Sequence, residues 1–134
     1  MQHRRLVLLL PLLGLTACAS VPLDETAGEI GEPPAEVAES RAQTGTAEAI
    51  RELVESSRTS RASGDYSQAL ANIERAIRIE PRNPYLWLEL GETHLSRGNT
   101  QQAAATARKA MSVAGADRVA KMAAEGLLER AMGP

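Results

Sequence analysis

Few side chains in this sequence could perform chemistry, and their spacing keeps them apart. Cys18 is the only cysteine in 134 residues, so its thiol has no partner for a disulfide within the chain. It closes the run Leu15-Thr16-Ala17-Cys18, behind a short apolar stretch and two arginines. His94 has no cysteine or second histidine near it to share a metal ion, and packing is the simpler role for it. The carboxylate pairs Glu52/Glu55 and Glu89/Glu92 read as solvated helix faces rather than as an acid and a base. No serine, histidine and aspartate stand in a supporting context, and no glycine-rich loop of the phosphate-cradling kind opens a helix. The sequence is therefore read as that of a non-enzyme with one reactive thiol and a set of surfaces.

The elements around Cys18 say what that thiol is for. Residues 1–5 form a positive stretch, Leu6 to Leu15 an apolar one, and Thr16-Ala17 are small. That is the layout of a secretory signal. The apolar run falls well short of the roughly 20 residues a membrane-spanning helix needs. With Cys18 at its end, the segment resembles the lipobox of bacterial lipoproteins. The resemblance implies cleavage after Ala17, lipid on Cys18 as the only covalent addition, and no other cofactor. Ala19, in place of an aspartate after the lipidated cysteine, implies sorting to the outer membrane, facing the periplasm.

Behind the anchor the composition changes twice. Residues 19–40 contain Asp24, Glu25, Glu29, Glu32, Glu36 and Glu39 with no lysine or arginine, broken by Pro22, Pro33, Pro34, Gly28 and Gly31. Such a stretch buries too little apolar surface to offset the entropy of ordering. Residues 18–46 are expected to be the lipidated N-terminus and a disordered acidic linker. Residues 41–134 carry 13 basic and 11 acidic groups, because the remaining basic residues (Arg4, Arg5) and the remaining six carboxylates precede them. That balance is too weak to suggest nucleic acid. The chain has no phenylalanine, one tryptophan and two tyrosines, and is rich in alanine and leucine, which suits closely packed helices rather than a β-sandwich.

The second half repeats itself. Gly64-Asp65 recurs as Gly98-Asn99, Ala69 as Ala103 and Ala76 as Ala110, and Leu53 aligns with Trp87, each pair 34 residues apart. Ile50, Leu53 and Val54 share one helical face. Asp65 with Gln68, and Asn99 with Gln102, have N-cap spacing; Asn83-Pro84 places a cap before a proline at the first helical position. Gly64 and Gly98 can close helices in the left-handed conformation. Helices are predicted at about 47–62, 66–80, 84–97, 100–114 and 117–131. The period of 34, with Trp87, Leu90, Gly91 and His94 followed by Ala103 and Ala107, resembles the tetratricopeptide repeat family over about residues 47–132. Ser57 stands where that family favours glycine, and His94 and Thr100 where it favours aromatic residues. The resemblance implies an all-α solenoid: two helix-turn-helix repeats and a C-terminal capping helix, preceded by the linker. Trp87, Leu90 and Leu70 would fill the wedge between repeats, and Gly91, Ala69, Ala76, Ala103 and Ala110 would let helices approach closely.

In tetratricopeptide stacks the first helix of each pair lines a concave groove for partner segments. The resemblance assigns Arg51, Val54, Arg58 and Arg61 to it from the first repeat, and Tyr85, Leu88, Glu92 and Leu95 from the second. The groove is expected to show a basic strip of Arg51, Arg58 and Arg61 beside Tyr85 and Leu88. The run from Ala76 through Pro81, Asn83 and Trp87 to Leu88 resembles short tetratricopeptide lipoproteins of the outer membrane that activate bifunctional penicillin-binding proteins. The partner it implies is a periplasmic or inner-membrane protein such as a peptidoglycan synthase; no small-molecule substrate is implied. The alternative is an assembly factor for pilus or secretion machinery.

Overall fold

The computed structural model describes residues 35–133; Cys18, the signal and the linker up to residue 34 lie outside the described residues. Five helices follow one another: α1 (Ala35–Ala62), α2 (Tyr66–Ile79), α3 (Pro84–Ser96), α4 (Thr100–Val113) and α5 (Arg118–Met132). Successive helices pack together as α1 on α2, α2 on α3, α3 on α4 and α4 on α5. Contacts of α1 with α3, and of α3 with α5, bring the odd-numbered helices side by side. This is the two-repeat solenoid with a closing helix that the spacing predicts.

The turns follow from the residues named in the sequence. The Asp65 side chain accepts from the Gln68 amide at 3.0 Å, and Asn83 from the Tyr85 amide at 3.0 Å. Gly64 and Gly98 adopt φ values of 81° and 86°, which an L side chain rarely tolerates. The next amides, of Asp65 and Asn99, reach back to the Ser60 and His94 carbonyls at 2.9 and 2.8 Å, satisfying groups a helix end leaves open. Asn99 departs from expectation, since its side chain makes no capping bond to α4. At the start of α5, Asp117 caps the Ala120 amide at 2.9 Å.

The first helix begins at Ala35 rather than near residue 47. Residues 35–49 are exposed throughout, so no apolar face reveals them to a periodicity argument. Strong helix formers carry the segment: alanines at 35, 38, 42, 47 and 49, with Glu36 suited to the positive first turn. The Thr44 and Thr46 hydroxyls donate to the carbonyls one turn back. Among the described residues no helix is long and apolar enough to cross a membrane.

Burial follows the helical period. α2 buries Ala69, Ile73, Ala76 and Ile77, and α5 buries Ala120, Ala124, Leu127 and Ala131. One cluster, with Ile50, Ile73, Ile77, Leu86 and Leu90 at its centre, takes in Leu53, Val54, Leu70 and Trp87 at its edge. A second, between α4 and α5, is built on Ala103, Ala104 and Ala131 with Leu95 and Leu128. Small residues set the helix spacing. A Cβ on Gly91 would stand 2.5 Å from Cδ2 of Leu127, a side chain with no exposed surface. Ser57, its counterpart one period earlier, is tolerated because its buried hydroxyl donates to the Ala69 carbonyl at 2.9 Å.

Both ends of the stack are closed by polar residues. Where the second repeat buries Leu86 and Leu90 against the first, the first repeat places exposed Glu52 and Ser56, one period earlier. Ser56 is held there by a 2.8 Å bond from Asn72. At the other end, α5 carries exposed Lys121 and Glu125 one period after Trp87 and Gly91. Terminal repeats of solenoids need such polar outer faces to remain soluble.

Candidate functional site

The predicted groove residues lie on α1 and α3, and the structure extends their face onto α5. The 34-residue period places Arg51, Tyr85 and Val119 in register, and likewise Val54, Leu88 and Met122. Cross-helix bonds hold the three helices in that arrangement. Arg58 donates from Nε to Glu89 Oε1 at 2.8 Å, and its Nη2 reaches the same oxygen. Arg61 Nη1 binds Glu89 Oε2 at 3.1 Å and lies within hydrogen-bond reach of the Glu89 carbonyl and the Thr93 hydroxyl, each at 3.4 Å. From α3 to α5, the Tyr85 hydroxyl donates to Asp117 at 2.9 Å, and Arg130 forms a two-point pair with Glu92, Nη1 to Oε2 at 3.1 Å.

These pairs redefine the charge of the groove. The expected basic strip is not three free arginines. Arg58 and Arg61 are both engaged by Glu89, whose side chain is only 15% exposed, and Arg61 itself is 21% exposed. The hydrogen bond to Glu89 holds the Arg58 pKa above its ordinary value, and Glu92 does the same for Arg130. Arg51 stands apart and pairs along its own helix with Glu48 at 3.1 Å. Val54 and Leu95 are half-buried and pack against the two core clusters. Tyr85 is 47% exposed and Leu88 half-buried, so these two present apolar surface to solvent.

Glu89 is the residue that the sequence reading missed. Read along its own helix it is one of a pair of surface carboxylates. Across helices it lies 31 residues after Arg58 and 28 after Arg61, just short of one period. A search for opposite charges at slightly less than the repeat length would have found it. Such an offset reflects a neighbouring helix meeting about one turn out of register. Val119 and Met122, 69% and 70% exposed, were also missed, because the sequence reading treated α5 only as a cap.

The other singled-out side chains have packing roles. Trp87 lies at the edge of the larger core cluster, donates from Nε1 to the Pro81 carbonyl at 2.8 Å, and has Lys109 5.5 Å over its ring. His94 is half-buried and its Nδ1 has no hydrogen-bond partner; burial lowers its pKa below the usual histidine value. At the start of α5, the Ala120 amide, followed by the Tyr85 hydroxyl, lowers the pKa of Asp117, and the same bond to Asp117 raises that of Tyr85. Among the described residues no group of three or more His, Cys, Asp or Glu side chains is placed to hold a metal ion.

Comparison with known proteins supports the architecture. Residues 60–131 match the family model described as tetratricopeptide repeat. The structure is similar to that of the globular C-terminal domain of LpoP from P. aeruginosa, with a TM-score of 0.59 and 29% sequence identity. The match covers 61% of this chain and 77% of that one. No curated protein matches the sequence.

Proposed function

Because the chain belongs to the tetratricopeptide repeat family, we propose that it acts by binding protein rather than by catalysis. In this reading it is an outer-membrane lipoprotein, held by lipid on Cys18, whose α1–α3–α5 face docks a periplasmic or inner-membrane partner. The partner is a bifunctional penicillin-binding protein, and docking activates its synthesis of peptidoglycan.

The observation that carries the reading is the stapled face itself. Glu89, Arg61, Tyr85 and Arg130 tie three helices into one surface before any partner arrives. A surface ordered in advance avoids part of the entropy that association otherwise costs. The same face leaves Tyr85 and Leu88 available for contact. The choice of partner rests on the resemblance of the sequence to short tetratricopeptide lipoproteins that activate penicillin-binding proteins. The similarity to the LpoP domain, at 29% identity, supports the helical-repeat domain that would do the docking.

Chain length bounds how far the docking face can stand from the anchoring lipid. Residues 19–34 can span at most about 55 Å, at ~3.3–3.6 Å per residue. The exposed helical residues 35–49 add about 22 Å at 1.5 Å per residue. The test is to titrate the full chain, in detergent, into a purified bifunctional penicillin-binding protein and follow glycan polymerisation. The rate should rise and saturate. An unchanged rate, with the chain shown to be folded by circular dichroism, overturns the proposed partner.

A further inference from the structure

Among the described residues three of the six exposed large apolar side chains gather in one place. Tyr85, Val119 and Met122 are 47%, 69% and 70% exposed and occupy one face of adjacent helices, with half-buried Leu88 beside them. The other exposed large apolar side chains stand alone: Val37 near the start of α1, Ile79 at the end of α2 and Met132 at the end of α5. The Tyr85–Asp117 hydrogen bond fixes the ring against the start of α5, next to Val119.

The charge around this strip differs from that of the rest of the groove. Arg58, Arg61 and Arg130 are consumed by Glu89 and Glu92. Arg118 stands beside Val119 and one turn before Met122 on α5, and its side chain meets no carboxylate within ion-pair distance among the described residues. The neighbouring Asp117 is satisfied by the Tyr85 hydroxyl and the Ala120 amide. Glu125 and Glu129 lie further along α5, one and two turns past Met122. The start of the helix is thus apolar and cationic on this face, and the Arg118 guanidinium is free to bind a carboxylate.

From this juxtaposition we propose that the primary docking contact is the strip formed by Tyr85, Leu88, Val119 and Met122 with Arg118, and that its occupant is a protein segment with apolar side chains next to an acidic one. This deepens the docking reading above and rests on it, but moves the contact from the arginines of α1 to the last helix. A further helix stacked on the solenoid is not the occupant, because Lys121 and Glu125 replace the residues that would receive one. Apolar contacts at the strip supply the buried area, and Arg118 selects the acidic flank and disfavours a basic one.

The test measures fluorescence anisotropy of a short labelled leucine–glutamate peptide with the full chain in detergent. Control peptides carry lysine for glutamate, or serine for leucine. The leucine–glutamate peptide should bind, and both controls should bind at least about tenfold more weakly. Val119→Ser with Met122→Ser should weaken binding about tenfold or more; both side chains are exposed, so circular dichroism should not change. Arg118→Glu should remove the preference for the glutamate peptide over the lysine one, whereas Lys121→Glu, on another face of α5, and Arg51→Glu should change little. Absence of binding by any peptide, or loss on Arg51→Glu with none on the changes at Arg118, Val119 and Met122, overturns the proposal. So does a concentration-dependent dimer abolished by Val119→Ser with Met122→Ser, which would assign the strip to a second copy of this chain. Synthase stimulation that survives the changes at Arg118, Val119 and Met122 removes the strip and leaves the synthase reading intact. Peptide binding without stimulation supports the strip and removes the synthase.

Discussion

Replacing Glu89 with glutamine should cost about 2 kcal/mol of stability, and the geometry says why. The substitution keeps shape and one acceptor but removes the charge that two arginines share. Two full charges about 4 Å apart attract by ~4 kcal/mol at an effective dielectric near 20, before desolvation and side-chain entropy are set against it. Arg58 is half-exposed, so its share is discounted to below about 1 kcal/mol. Arg61 is mostly covered and makes a charged hydrogen bond of the kind worth about 1.5–3 kcal/mol. Glutamine recovers part of that through its amide oxygen. For a domain near 100 residues, each kcal/mol moves the melting point by about 4–8 °C, so a fall of about 8–16 °C is expected. Thermal melts by circular dichroism at low and high salt provide the assay. The deficit should shrink only partly in high salt, because screening acts mainly on the exposed Arg58. A variant melting within about 2 °C of wild type would refute the claim that Glu89 staples α1 to α3.

Trp87→Ala should cost about 3 kcal/mol in a denaturant titration, the lower end for a truncated aromatic because the ring is only half-buried; an unchanged midpoint would return Trp87 to the surface as a binding platform. His94 gives a pH dependence of fixed sign. Its pKa is lowered in the folded state, so the unfolded chain takes up the proton first, and stability is lost as pH falls through the usual value of about 6.5. Between about pH 7 and pH 5, wild type should therefore lose more stability than His94→Phe, and equal slopes would contradict the burial argument. Cys18→Ser should abolish metabolic palmitate labelling, since no other thiol is present; equal labelling would remove the lipid anchor.

What the sequence revealed and what it hid divide along a physical line. Local chemistry was legible: Asp65 and Asn83 cap as their types predict, Gly64 and Gly98 turn left-handed, and helix ends fall within a residue or two of expectation from α2 onward. So was the close-packing role of Gly91, Ala69 and Ala103, because a repeat period exposes positions that must stay small. The start of α1 was hidden because residues 35–49 touch nothing that would imprint a pattern; their helix rests on intrinsic propensity beside prolines and acids that suggest a linker. Asn99 failed as a cap because spacing states only that a side chain can reach, not that it does. The groove was half legible. Its residues were assigned from single helices, whereas the partners of Arg58, Arg61 and Glu92 come from the neighbouring helix, at distances in sequence that no intrahelical rule contains.

The central claim is that a protein partner docks on the face shared by α1, α3 and α5. The most direct measurement places a photo-crosslinking side chain at Leu88 on that face, and separately at Arg108 on the exposed side of α4, in cells making the full chain. The account predicts an adduct with a peptidoglycan synthase, identified by mass spectrometry, from position 88 and none from position 108. An adduct with that synthase from position 108 alone would contradict it.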